Sequence, residues 1–94
     1  MESLTAIQER IYRLADAGEF QQALELARET VRDNPDNSVS WFTLGKILWR
    51  LDRRSEATSA YRTAVDIDPD SPAAIALQYA GDIADFFNPD LFNP

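Results

Sequence analysis

Cysteine and histidine are both absent from the 94 residues. Without cysteine there is no disulfide, no thiolate metal site and no thiol nucleophile. Without histidine the commonest acid–base group and metal ligand is missing. Glycine is scarce, and Gly18, Gly45 and Gly81 stand too far apart to build a phosphate-cradling loop. No apolar run approaches the roughly 20 residues that span a bilayer. The start, Met1-Glu2-Ser3-Leu4-Thr5, lacks the basic segment and apolar run of a secretion signal. Positive charge is also short: 9 Lys and Arg against 16 Asp and Glu leave a formal net charge of −7. That balance argues against nucleic acid, whose phosphates demand a basic surface, and against anionic membrane surfaces. A cytoplasmic setting is the expectation.

What is present is the composition of an ordinary globular domain, 45% hydrophobic and 27% charged, in a chain long enough for one domain. Charge is unevenly placed. Residues 70–94 hold Asp70, Asp82, Asp85 and Asp90 with no Lys or Arg, while Lys46, Arg50, Arg53 and Arg54 cluster upstream.

Apolar residues recur at helical spacing in five stretches. Leu4, Ile7, Ile11 and Leu14 predict a helix over 4–17, with Thr5 and Gln8 spaced for a capping box and Gly18 as its stop. Ala23, Leu24, Ala27 and Val31 predict a second helix over 20–32, ended by the turn-forming Asn34-Pro35-Asp36-Asn37. The third, over 39–51, carries Trp41, Leu44, Leu48 and Leu51 on one face. Gly45 lies on that face, where it costs about 1 kcal/mol relative to alanine and so implies a close neighbour. Ala57, Ala60, Tyr61, Ala64 and Val65 form the face of a fourth helix over 55–67. Ser71-Pro72 then caps and starts a fifth, over 72–87, with Ile75, Tyr79, Ile83 and Phe86 or Phe87 along one stripe and Ala73, Ala76, Ala80 and Ala84 along another. Asn88-Pro89-Asp90-Leu91-Phe92-Asn93-Pro94 is a tail whose prolines forbid a helix.

No catalytic residues emerge. The serines and threonines have no evident activating base. Asp66-x-Asp68-x-Asp70 has calcium-loop spacing, but Ser71 and Leu77 stand where such a loop needs glycine and glutamate, so the string reads as an inter-helix turn. Asp82 and Asp85 read as solvated carboxylates on a helix. No metal and no cofactor are implied.

The order Trp41-x2-Leu44-Gly45-x2-Leu48, then Ala57-x3-Tyr61, Ala64 and Pro69, resembles the tetratricopeptide repeat (TPR) pattern. A degenerate copy lies one period of about 34 residues upstream: Ile7 matches Trp41, Leu14 matches Leu48, Ala23 matches Ala57, Ala27 matches Tyr61 and Pro35 matches Pro69. The resemblance covers residues 4–87, and the segment 82–90 is similar to the ends of small two-repeat bacterial proteins of that family. It implies an all-α fold: antiparallel helix–turn–helix repeats at 4–36 and 38–70, a C-terminal capping helix at 72–87 and a tail at 88–94, in a right-handed α-solenoid. Trp41, Leu44, Gly45, Leu48, Ala57, Tyr61, Ala64 and Pro69 would be its repeat-packing residues.

The resemblance also implies a protein–protein interaction module that binds a peptide or helix on a concave face lined by the first helix of each pair. On the third helix that face would hold Val39, Phe42, Lys46, Trp49 and Arg50, an aromatic pair flanked by cations and suited to a peptide with apolar and acidic residues. Gln8 and Tyr12 would face it from the first helix, beside Thr5 and Asp16. The family's best-known ligands, chaperone C-terminal tails, need cationic clamp side chains; Gln8, Tyr12, Thr43, Ala73 and Leu77 occupy those places, and none is cationic. Two further expectations remain. Phe42 and Trp49 could serve only as packing between helices, and the capping helix with its tail could make a weak homodimer instead.

Overall fold

The computed structural model describes the backbone of residues 2–87 and the side chains of residues 2–80. The expected tail at 88–94, and the side chains of Ile83, Ala84, Phe86 and Phe87 in the expected cap, lie outside the described residues. Among the described residues five helices follow one another: α1 (Leu4–Asp16), α2 (Phe20–Asp33), α3 (Ser38–Arg50), α4 (Arg54–Ile67) and α5 (Ala73–Phe87). No strand occurs among the described residues. Each helix packs on the next, and α1 also touches α3. This is an all-α helical repeat, with helix limits within one residue of those the periodicity predicts.

The start of α1 differs from expectation. Ser3, not Thr5, is its cap: Ser3 has an extended backbone (φ −70°, ψ 159°) and its Oγ accepts the Ala6 N–H at 3.1 Å. Thr5 already lies inside the first turn, so no capping box spans Thr5 and Gln8. Asn37 caps α3 by accepting the Val39 N–H at 2.9 Å, and Ser71 caps α5 by accepting the Ala73 N–H at 3.1 Å.

The two hairpins end their first helices in the same way. Gly18 has φ +83°; the Glu19 N–H reaches back to the Leu14 carbonyl at 2.8 Å and the Gly18 N–H to Ala15 at 3.0 Å. One period later Asp52 has φ +61°; the Arg53 N–H reaches the Leu48 carbonyl at 2.9 Å and the Asp52 N–H reaches Trp49 at 3.0 Å. Both are left-handed helix stops that satisfy otherwise orphaned carbonyls.

The core runs through Ile11, Leu24, Ala27, Ile47, Leu48, Ala57, Tyr61 and Ala64, all buried. Each fully buried Ile or Leu contributes roughly 1.5–3 kcal/mol. Helix α3 is central and buries two faces. Leu44, Gly45 and Leu48 meet α4. Ser40, Thr43 and Ile47, a stripe the apolar pattern does not mark, are all but fully buried toward the first repeat. Their hydroxyls are satisfied: Ser40 Oγ lies 2.8 Å from the Asn34 carbonyl, and Thr43 Oγ1 donates to the Val39 carbonyl at 2.7 Å. Of the expected packing set, Trp41 is only half-buried: it packs against the core from the outer groove between α2 and α4, its Nε1 donating to the Pro35 carbonyl at 2.8 Å. Pro69 is exposed in the turn after α4, where it stops the helix.

Candidate functional site

Helices α1 and α3 meet through three rungs, one per turn of α1. Gln8 Nε2 donates to Thr43 Oγ1 at 3.0 Å and to Tyr12 Oη at 3.2 Å. The Lys46 ammonium sits 5.0 Å from the Tyr12 ring centroid and 5.6 Å from that of Phe42. Arg50 Nη1 donates to Asp16 Oδ1 at 2.9 Å. Tyr12 with Lys46, and Asp16 with Arg50, are each separated by one period of about 34 residues. The rungs therefore follow directly from stacking one repeat on the next.

Phe42 sits beside Tyr61 of α4, ring centroids 5.9 Å apart and planes inclined by 39°. The Tyr61 ring also covers Gly45: a Cβ there would meet its Cδ1 and Cε1 at 2.5 Å. Burial, with the neighbouring Tyr12 as a smaller cause, pushes the Tyr61 phenol up to about 12.

The six residues expected to bind a partner divide into three places. Gln8, Tyr12, Phe42 and Lys46 come together. Trp49 belongs to a separate apolar cleft of about 260 Å³, lined by Trp49, Tyr61, Ala76 and Tyr79, and the Arg54 guanidinium lies 4.8 Å from its ring centroid. Arg50 does not flank the aromatic pair as a free cation. Asp16 holds it, and its guanidinium lies 5.7 Å from the Phe20 ring centroid, because the end of α1 stands beside the end of α3. Lys46 differs: it is exposed, and among the described residues no carboxylate lies within salt-bridge distance of it.

Sequence reasoning missed the cleft, because its four lining residues come from three helices and share no spacing. It also left Thr43 as a failed clamp position rather than a rung. Adding one period to Tyr12 and to Asp16 would have found two of the three rungs.

The acidic turn is a local cap, in which the Asp70 N–H donates to Asp68 Oδ1 at 3.0 Å. Among the described residues no group of three or more Asp, Glu, His or Cys could hold a metal ion. Among them, too, no helix is long and apolar enough to cross a membrane.

No curated protein and no solved structure matched the chain. A family model described as tetratricopeptide repeat matches residues 9–72, about two thirds of the 94-residue chain. That span includes both helical hairpins, from the second turn of α1 to the cap of α5. With the repeated helix stops and the rungs one period apart, it establishes that the chain belongs to the tetratricopeptide repeat family.

Proposed function

We propose that this chain is a non-catalytic protein-interaction module. Its face at α1 and α3 takes an extended peptide or helix of a protein partner that carries acidic and apolar residues. Lys46 is the observation that carries this reading: an exposed ammonium set against the Tyr12 and Phe42 rings, with no carboxylate partner among the described residues. An acidic side chain there would pair with the ammonium while its apolar neighbours rest on the aromatic surface. Arg50, engaged by Asp16, has a smaller share. Members of the family generally mediate protein–protein contacts, although a fold alone does not fix a partner. The family and the charge balance support a protein ligand rather than nucleic acid or a lipid surface.

A second reading, self-association through α5, is favoured by Ile75 and Tyr79. They are 59% and 65% exposed and lie four residues apart on one stripe. Light scattering separates the two. The binder reading requires a mass near 10.6 kDa at all concentrations; the dimer reading requires about twice that, lost in Ile75→Ser/Tyr79→Ser.

The binder reading is tested by selecting displayed random peptides on the full chain. Enriched peptides should carry acidic and apolar residues and lose at least about tenfold in affinity to Lys46→Gln, the size of one charge-assisted contact of about 1.4 kcal/mol. Enrichment that ignores acidic residues, or equal affinity for Lys46→Gln, would contradict it.

A further inference from the structure

The first rung between α1 and α3 has a direction. Thr43 has one hydroxyl proton and gives it to the Val39 carbonyl at 2.7 Å, since a carbonyl can only accept. Toward Gln8, 3.0 Å away, Thr43 Oγ1 can therefore only accept, so the Gln8 atom facing it is the donor Nε2. That fixes the side-chain amide, whose nitrogen and oxygen otherwise have similar shapes. Nε2 has no lone pair to offer, so at 3.2 Å it also donates to Tyr12 Oη. Both Nε2 protons are thereby spent. Tyr12 accepts in this rung, and its own proton finds no acceptor among the described residues.

The Lys46 ammonium lies against the same ring, 5.0 Å from the Tyr12 centroid, with the Phe42 ring behind it at 5.6 Å. Lys46 holds the place of Tyr12 one repeat later. One repeat further that place is Ala80, which is buried and offers no polar group. The row therefore presents two donors and no more, a phenol and an ammonium. The nearest acid on this face of α1, Asp16, is taken by Arg50. We infer that Tyr12 is the second donor of the ligand site: one side-chain carboxylate of the partner pairs one oxygen with the Lys46 ammonium and the other with the Tyr12 hydroxyl. Gln8 and Thr43 are positioning residues, which keep the Tyr12 proton free for the ligand. A neutral amide of the same shape carries one acceptor and one donor, and its donor would face a donor. The site thus takes a glutamate or aspartate of the partner and refuses the matching glutamine or asparagine.

This role of Tyr12 rests on the peptide-binding reading of Lys46, and two probes of one shape separate them. Phenylacetate and phenylacetamide are titrated into the isotope-labelled full chain at low salt and followed by NMR. Phenylacetate should shift the Tyr12 ring and the Lys46 side chain, and phenylacetamide at the same concentration should leave both in place. Tyr12→Phe, which keeps the ring, should weaken phenylacetate at least about threefold, or about 0.7 kcal/mol. Lys46→Gln should abolish its binding. In the free chain, magnetisation transfer is expected from the Gln8 side-chain amide protons to the Thr43 methyl group and the Tyr12 ring. Amide protons turned away from both would reverse the rung and overturn the inference. Phenylacetate that needs Lys46 but binds Tyr12→Phe equally well, or phenylacetamide that binds as tightly, would also overturn it and leave the reading of Lys46 standing. If neither probe moves Tyr12 or Lys46, the inference falls as well, and the peptide selection alone decides that reading.

Discussion

The ring of Tyr61 occupies the space a side chain at position 45 would need, its Cδ1 and Cε1 only 2.5 Å from where a Cβ of Gly45 would stand. Gly45→Ala should therefore destabilise the fold. The alanine gains about 1 kcal/mol of helix propensity, but overpacking a buried ring costs about 1–3 kcal/mol. Tyr61 is 4% exposed and has little room to yield, so a net loss of up to about 2 kcal/mol is expected in urea unfolding. In a Tyr61→Leu background the same substitution should be neutral or stabilising, because the clashing ring atoms are gone.

Tyr61 also makes stability depend on alkaline pH. Below pH 10 its phenol is protonated in both folded and unfolded chains, and the fold carries no penalty. Between 10.0 and about 12 the unfolded phenol ionises while the folded one stays protonated, so stability falls through that window. Two pH units correspond to about 2–3 kcal/mol. Tyr61→Phe should lose this part of the decline. Thermal unfolding of both proteins between pH 9 and 12 measures it, and parallel curves would show that burial does not hold the phenol protonated.

Asp52 adopts φ +61° where its counterpart Gly18 adopts φ +83°. A left-handed conformation is costly for any residue with a Cβ, though less so for aspartate. Asp52→Gly should stabilise the chain by about 0.5 kcal/mol, after loss of the exposed pair with Arg54, which is worth roughly 0–1 kcal/mol. Gly18→Ala should cost about 1 kcal/mol despite open space around it.

Lys46 and Arg50 lie one turn apart yet should behave differently. Arg50 is paired with Asp16, and both are well exposed, so a double-mutant cycle should give a coupling below about 1 kcal/mol that shrinks in high salt. Arg50→Gln should leave the affinity for a selected acidic peptide within about twofold, a change of about 0.4 kcal/mol, whereas Lys46→Gln weakens it at least about tenfold.

The helices were legible because their apolar periods are strong and because glycine, asparagine and proline mark the ends of α1, α2 and α4. The cap at Ser3 was masked by Thr5 and Gln8, whose spacing imitates a capping box. The Ser40–Thr43–Ile47 stripe was hidden because two of its residues are polar, and only tertiary contacts with the first repeat bury them. Asp52 carries no glycine signal for its backbone conformation. Gln8, Tyr12, Phe42 and Lys46 were readable as one surface through the repeat period. The separation of Trp49 from Arg50 was not, since it depends on the Asp16 partner and on the cleft that Trp49 shares with Tyr61, Ala76 and Tyr79.

The account stands or falls on where a selected peptide binds. Chemical-shift mapping of an enriched acidic–apolar peptide on the isotope-labelled full chain answers this directly. The largest changes are predicted at Gln8, Tyr12, Phe42 and Lys46. Changes confined to the outer groove at Trp41, Ser59 and Thr63, with Lys46 unmoved, would contradict a partner-binding role for the face at α1 and α3.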